Sequence, residues 1–196
     1  MGQRVFNICS SALGLVLMSP LLLLAAVSTK LYDGGPVLYR ARRIGKDGKP
    51  FDLLKFRSMV VNADKIGAPL TSRNDSRITP IGRILRKTKI DELPQLLNVI
   101  RGEMNLVGAR PEDPRYVALY TPDQSRILAF RPGITSPASV LYRNEEKLIN
   151  REDSYTWYIS ELLPRKLAVD IEYLERQSFL GDLGVIAATM KALLKG

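Results

Sequence analysis

The chain opens with a continuous apolar run, VFNICSSALGLVLMSPLLLLAAV over residues 5–27, before apolar and charged positions begin to alternate or recur helically. As one straight helix those 23 residues would cross a hydrocarbon core of roughly 30 Å. Ser19-Pro20 interrupts the run, and proline removes a backbone donor and crowds the preceding turn, which predicts a kink or break. Arg4 and the α-amine precede the run, and Lys30, Arg40, Arg42 and Arg43 follow it. Positive charge at both ends favours a helix that enters the membrane, breaks at Ser19-Pro20 and returns to the same face, over a straight span. A cleaved signal peptide is a third reading, weakened by the single Arg of its n-region and by Ala25-Ala26-Val27 being a loose match to A-x-A. Myristoylation is disfavoured because Phe6 stands where Ser or Thr is needed.

After the turn signal Asp33-Gly34-Gly35-Pro36, VLYRARRIG and PFDLLKFRSM alternate apolar with charged positions around Lys46-Asp47-Gly48-Lys49. That spacing predicts a β-hairpin with Asp-Gly in its turn. Residues 60–77 are polar and read as a surface loop. Thr79-Pro80 predicts an N-cap and first-turn proline for IGRILRKTKI, with Ile81, Ile84 and Leu85 on one face. A second helix is predicted with Pro94 in its first turn, Leu93, Leu96, Leu97 and Ile100 on one face, and an end near Gly102. Prolines punctuate a mostly irregular stretch from Pro111 to Pro137, with one short helix over 123–130. Helical periodicity returns in SYTWYISELL, up to Pro164, and in GDLGVIAATMKALL. No internal repeat or low-complexity tract occurs. The fold class is α+β, mainly helical, with a short β-hairpin and an N-terminal re-entrant helix. Residues 1–30 form that membrane helix, and 31–196 a catalytic domain continuous with it.

Composition narrows the chemistry. The chain has 196 residues, enough for one domain with a substantial core, and its 29 Lys and Arg against 20 Asp and Glu give a charge of +9. That balance favours a polyanionic partner, whether nucleic acid, acidic membrane or phosphorylated substrate. Cys9 is the single cysteine and histidine is absent, which excludes an internal disulfide, a Cys-based metal site and a Ser-His triad. Chemistry falls to carboxylates, Lys, Arg, Tyr, Ser and Thr, and any metal to a hard cation held by oxygen. Walker A, G-x-G-x-x-G and D-x-D patterns are absent, which argues against P-loop kinases, Rossmann enzymes and common metal-bridged glycosyltransferases.

Asp91-Glu92, at the start of the second helix, is the sharpest candidate. Such a pair complements a helix dipole, contributing about 0.3–1 kcal/mol. Alternatively, one carboxylate attacks phosphorus while its neighbour holds a divalent cation, and nearby cations bind the transferred phosphates. Local pattern weighs the two equally. Basic candidates are Lys55 and Arg57 on the hairpin, Arg73 and Arg77 in the loop, and Arg83, Arg86, Lys87, Arg110, Arg131 and Arg143 beyond it. Arg110 and Arg131 each precede proline, where a fixed backbone can aim a guanidinium fork at phosphate. The tyrosines read as core or interface aromatics rather than stacking platforms for bases.

NDSRITPIGRILRKTKIDELPQLLNVIRGEMNLVGARPE, followed by RPGITSPAS, resembles the bacterial monotopic phosphoglycosyl transferases, the polyprenyl-phosphate sugar-1-phosphate transferases. The likeness extends over the broken apolar segment, LLKFRSM and the C-terminal helix. It implies transfer of a sugar 1-phosphate from a UDP-sugar to a membrane polyprenyl phosphate, with release of UMP through a phosphosugar-carboxylate intermediate and Mg2+. It implies Asp91 as nucleophile and Glu92 as Mg2+ ligand beside it. Lys55, Arg86, Arg110 and Arg143 match positions for phosphate or nucleotide contact, and Ser19-Pro20 matches the membrane breaker. The resemblance also implies a site at the cytoplasmic face of the bacterial inner membrane, with membrane lipid rather than nucleic acid as partner; a homo-oligomer stays open. This chain reads as a minimal catalytic form.

Two departures stand out: Ala109 replaces the first proline of the usual G-P-R-P, and Ser136-Pro137-Ala138-Ser139 replaces the usual G-L-A-Q. The second leaves the transferred sugar open. A membrane-tethered binding module, with Asp91-Glu92 as helix-end charges, and a carboxylate-dependent phosphohydrolase are the competing expectations.

Overall fold

The computed structural model describes residues 2–66, 75–143, 145 and 154–194. Its first element, α1 (Gly2–Asp33), carries Pro20 inside an unbroken helix. The interruption expected at Ser19-Pro20 is therefore not a break in the helix. The carbonyl of Val16, which Pro20 cannot reach with an N–H, accepts the Ser19 hydroxyl at 2.8 Å. A side-chain bond thus stands in for the one proline removes.

The burial of α1 is inverted. Its buried positions are Asn7, Ser11, Ala25 and Thr29, while Leu13, Val16, Leu17, Leu23 and Leu24 are exposed. Small and polar side chains face the protein and large apolar ones face outward, as expected where the surrounding medium is lipid. Its length and hydropathy are those of a membrane-crossing helix, and its most apolar window is only 11% buried.

The hairpin follows as its alternation predicts. β1 (Leu38–Ile44) pairs antiparallel with β2 (Pro50–Phe56), Ala41 lying opposite Leu53. Asp47 and Gly48 turn between them at φ of 58° and 72°, the left-handed pair that such turns require. One helical turn, α2 (Ala63–Ile66), forms in the expected loop; the rest of that loop, with Arg73, lies outside the described residues.

α3 (Pro80–Thr88) begins as predicted, Thr79 accepting the Gly82 N–H at 2.9 Å. Ile84, expected on its core face, is exposed. α3 instead presses Gly82 onto Ser58, so closely that an added Cβ would lie 1.9 Å from that carbonyl oxygen. This contact rotates Ile84 outward and leaves Leu85 in the core. α4 (Gln95–Arg101) ends at Gly102 in the left-handed region, again as expected. Its fully buried positions, however, are Gln95, Asn98 and Val99 rather than the leucine stripe. α4 is packed on two sides: Leu96 reaches Gly14 of α1, and Asn98 faces the hairpin. There Asn98 accepts the Leu54 N–H at 3.0 Å and donates to the Asp52 carbonyl at 2.8 Å and to Glu103 at 2.7 Å.

β3 (Asn105–Val107) and β4 (Gly133–Thr135) pair in parallel, β4 lying inside the stretch expected to be irregular and β3 just before it. Between them lie α5 (Pro114–Val117), α6 (Pro122–Ser125) and a 3-10 turn at Arg126–Ala129, the last two matching the predicted short helix. α7 (Pro137–Leu141) follows β4. Pro164 does not end a helix: α8 (Ser154–Trp157) passes through a π turn at Tyr158–Leu162 into α9 (Leu163–Glu175), with Pro164 in its first turn. The wider turn accommodates a residue without an N–H. α10 (Phe179–Leu194) closes the described chain, its Phe179 ring meeting Phe6 of α1 edge-on at 5.1 Å.

Asn98 joins α4 to β2 through two hydrogen bonds, makes a third to Glu103, and is fully buried. Asn98→Ala leaves the Leu54 amide and Asp52 carbonyl without partners. Unfolding of the detergent-solubilised variant is expected to show a loss of about 2–4 kcal/mol; a loss below about 0.5 kcal/mol would contradict this packing.

Candidate active site

A sharp turn presents the acidic pair. Lys89 ends α3 in the left-handed region, at φ 58° and ψ 15°, and opens the 3-10 turn Ile90–Glu92 that carries both carboxylates. A non-glycine residue held there is uncommon, and such backbone clusters at functional sites. Pro94 then leads into α4. Asp91 is 6% exposed, and its Oδ1 is sequestered without a hydrogen-bond partner.

Cations converge on Glu92 from two other elements. Lys55, flanked on β2 by the buried Leu54 and Phe56, donates to Glu92 Oε1 at 3.0 Å. Arg110, just past β3, grips the carboxylate with both arms, at 2.7 Å to Oε1 and 3.2 Å to Oε2. The path to Arg110 is fixed by close strand contact: a Cβ on Gly108 would lie 2.6 Å from the Arg131 carbonyl oxygen. Ala109, where the resemblance leads one to expect proline, is buried, and its carbonyl accepts the Gly133 N–H at 2.9 Å. A strand bond therefore holds the turn in place of the missing ring.

The electrostatics divide the pair. Burial pushes the Asp91 carboxyl up to about 6, the Glu92 charge raising it further and Lys55, Lys89 and Arg86 opposing. Glu92 is also penalised by burial, yet Arg110 and Lys55 hold it well below the usual carboxylate range. Burial lowers Lys55, the Glu92 charge countering it. Glu92 is thus a fixed anion clamped by cations. Asp91 is its unclamped neighbour with an uncommitted oxygen, the arrangement of an activated carboxylate.

Among the described residues no group of three or more His, Cys, Asp or Glu side chains could enclose a metal. A cation at this site would be held by Asp91 and Glu92 together with phosphate oxygens of a bound substrate, as Mg2+ commonly is. The unpartnered Oδ1 of Asp91 fits that role.

The remaining candidates have separate positions. Arg86 acts on Asp91 through its charge. Arg57 is buried and gives its guanidinium to both Asp33 oxygens and to the Pro36 carbonyl, locking the end of α1 to β2. Arg143 donates to the Ala192 carbonyl in the last turn of α10, where a cation complements the helix end. The charge of Arg131 reaches Arg4, near the start of α1.

Sequence reasoning left Lys89 without a role, although its charge reaches both carboxylates. It also missed a layer behind Arg110. Glu112 and Glu145 act on Arg110 through their charges; Tyr158 donates to Glu112 at 2.9 Å, and the buried Lys166 to Glu145 at 2.7 Å. Only the place of Lys89 before the acidic pair was a local signal. Ser136 turns out to cap α7, accepting the Ser139 N–H at 3.0 Å, while Asp170 accepts that of Ala138 at 3.0 Å. Burial raises the Asp170 carboxyl to about 6.

The site thus holds two neighbouring carboxylates, one clamped by Lys55 and Arg110 and one without a hydrogen bond to its Oδ1, in a chain whose first helix is long and apolar enough to cross a membrane. Residues 1–196 match the family described as Bacterial sugar transferase, and the chain belongs to that family. Among its relatives is the UDP-glucose:undecaprenyl-phosphate glucose-1-phosphate transferase of Caulobacter vibrioides, 39% identical over 98% of this chain and 69% of that protein. The exopolysaccharide production protein ExoY of Rhizobium meliloti is 35% identical over 98% of this chain and 85% of its own length. The UDP-N-acetylgalactosamine-undecaprenyl-phosphate N-acetylgalactosaminephosphotransferase of Aeromonas hydrophila is 32% identical over 99% of this chain and 44% of its own length. The chain is accordingly a transferase.

Because the Asp91 pKa stands near 6 in the fold, against an ordinary 3.8, the folded state holds this proton more tightly than the unfolded chain. The stability this adds is complete below about pH 4 and is lost as pH rises through about 6. Asp91→Asn escapes that loss. At pH 8 it is expected to be more stable than the native chain by about 3 kcal/mol, the difference closing near pH 4. Unfolding midpoints at both pH values check this, and a gap that does not change with pH would contradict it.

Proposed function

We propose that this protein transfers a sugar 1-phosphate from a UDP-sugar to a polyprenyl phosphate at the cytoplasmic face of the bacterial inner membrane. The observation that carries the reading is the buried Asp91 carboxylate with a free oxygen, beside a Glu92 that gathers Lys55 and Arg110. The sugars named for the relatives include glucose and N-acetylgalactosamine, so the family reaction carries over while the sugar does not.

The donor diphosphate enters the ring formed by Lys55, Arg86, Lys89 and Arg110. These cations already act on Asp91 or Glu92, so little reorganisation accompanies binding. Asp91 attacks the phosphorus that bears the sugar, and the bond from that phosphorus to the bridging oxygen breaks. UMP leaves with the bridging oxygen, and Asp91 keeps the phosphosugar as an acyl phosphate. An oxygen of polyprenyl phosphate then attacks the same phosphorus, forming the polyprenyl diphosphate sugar and restoring the carboxylate. Glu92 holds Lys55 and Arg110 over the phosphates throughout. Mg2+, held by Asp91 and Glu92 with the diphosphate, would neutralise charge building on the leaving group.

The membrane placement draws support from how α1 is tied. Near its start Arg4 donates to the Ile100 and Met104 carbonyls, and at its end Asp33 binds Arg57. Both ends of this unbroken helix meet the same folded body, which favours a helix held at one membrane face over a span whose ends lie on opposite faces. The acceptor phosphate would then meet Asp91 at the membrane surface.

The test is UMP release by detergent-solubilised protein with Mg2+ across a panel of UDP-sugars, with and without undecaprenyl phosphate. One donor is expected to give sustained release that requires the lipid. Asp91→Asn should reduce it by roughly a thousandfold or more, and chelation of the metal should abolish it. Sustained release without lipid would indicate a hydrolase, and lipid-dependent release insensitive to Asp91→Asn would refute the aspartyl route.

A further inference from the structure

The inward face of the helical run that carries the acidic pair is polar. From Ile90 the chain winds on without interruption, because Leu93 (φ −56°, ψ −33°) and Pro94 (φ −59°, ψ −17°) both lie in the right-handed region between the 3-10 turn and α4. Residues three and four apart in such a run share a face. Asp91, Gln95 and Asn98 have that spacing, and they are 6%, 1% and 0% exposed. Asn98 turns to β2, accepting the Leu54 N–H and donating to the Asp52 carbonyl. Glu92, next to Asp91, meets Lys55 of the same strand. Gln95 lies between these two contacts along the helix.

Two complementary groups on this face are unpaired. Gln95 Nε2 is a donor and Asp91 Oδ1 an acceptor; both are sequestered, and neither has a hydrogen-bond partner. A buried amide left without an acceptor destabilises a fold, and an apolar side chain of the same length would avoid that penalty. We propose that Gln95 Nε2 donates a hydrogen bond to Asp91 Oδ1 during transfer to the lipid acceptor and stabilises the carboxylate as it leaves phosphorus. This inference rests on the reading of Asp91 as the nucleophile.

Of the two Asp91 oxygens only Oδ1 is enclosed in this way, which leaves Oδ2 to reach phosphorus. Once Oδ2 bonds to phosphorus the carboxyl group loses its charge, and Oδ1 becomes the carbonyl oxygen of the acyl phosphate. On discharge an oxygen of the acceptor phosphate attacks that phosphorus, the Oδ2–phosphorus bond breaks, and its electron pair returns the charge to the carboxyl group. A hydrogen bond to a carboxylate is stronger than one to a neutral carbonyl. A donor on Oδ1 therefore lowers the barrier to discharge and does not assist the first attack. The oxygen has two lone pairs, so the amide and a cation can share it.

The experiment follows the phosphosugar adduct by mass in detergent-solubilised full-length protein. UDP-glucose and UDP-N-acetylgalactosamine, the donors named for two relatives, are the first probes, given with Mg2+; undecaprenyl phosphate is added second. Gln95→Met keeps the length of the side chain and removes its donor. Its adduct is expected to form within about threefold of the native rate and to discharge about tenfold more slowly. Its thermal midpoint should equal or exceed the native one, since an unpaired buried donor is gone. Gln95→Leu is a second variant without the donor and should behave alike. Arg165→Gln, an exposed residue of α9 paired with Glu161, is the control and should discharge as the native chain does. Native discharge rates in the Gln95 variants, or a midpoint lowered by more than about 4 °C in both, would overturn the proposal, the second by giving the amide a structural role. An adduct that forms in Asp91→Asn, or a native chain that no UDP-sugar of the panel labels, would instead refute Asp91 as the nucleophile, and this inference with it.

Discussion

Two adjacent carboxylates cannot be withdrawn from water together unless cations are brought to them, and the fold is arranged around that requirement. Glu92 lies in the interior only because Lys55 arrives from the hairpin and Arg110 from the end of a parallel strand. Removing one such partner would leave an uncompensated buried charge, which is among the costliest changes a core can undergo. Lys89 supplies the geometry, its left-handed backbone turning the chain so that both carboxylates face the same cations. Asp91 is then the member left over, buried but unclamped, and its raised proton affinity is what the neighbouring anion and the loss of water impose.

The membrane helix belongs to the same construction. Its polar residues face inward: Asn7 donates to Asn105 at 3.2 Å, and Arg57 reaches the Thr29 carbonyl at 3.5 Å. α4 is wedged between this helix and the hairpin, so the turn bearing Asp91 and Glu92 is placed by lipid-facing and water-facing elements together. An enzyme that joins a water-soluble donor to a lipid acceptor needs its nucleophile at that boundary. Asp91, the proposed nucleophile, is about one helical turn from Leu96, which packs on α1.

Elements governed by local chemistry could be read from the sequence. The Asp-Gly turn, the Thr79 cap and the glycine end of α4 each depend on a few adjacent residues, and each formed where expected. The acidic pair was visible as a candidate, but its local pattern weighed a catalytic role and a helix-end role equally, and only the family resemblance implied a role for it. What failed depended on contacts distant in sequence. Ile84 was turned outward by the approach of Gly82 to Ser58, and α4 buried Asn98 because the hairpin needed a side chain to satisfy Leu54 and Asp52. The parallel pairing of β3 and β4 joins three-residue strands too short to show a period. The partners that Arg57 and Arg143 take, Asp33 and the end of α10, were likewise not legible in the sequence, because those contacts too are distant along the chain. At Ser19-Pro20 the proline signal was sound, but the serine before it supplied the missing bond.

The central claim is that Asp91 becomes covalently attached to the phosphosugar. Mass spectrometry of the protein after incubation with its UDP-sugar and Mg2+, without lipid acceptor, measures this most directly. The account predicts a mass gain of one sugar phosphate, located on the peptide containing Asp91, absent from Asp91→Asn and discharged when polyprenyl phosphate is added. Full turnover with no such adduct, or an adduct that persists in Asp91→Asn, would contradict it.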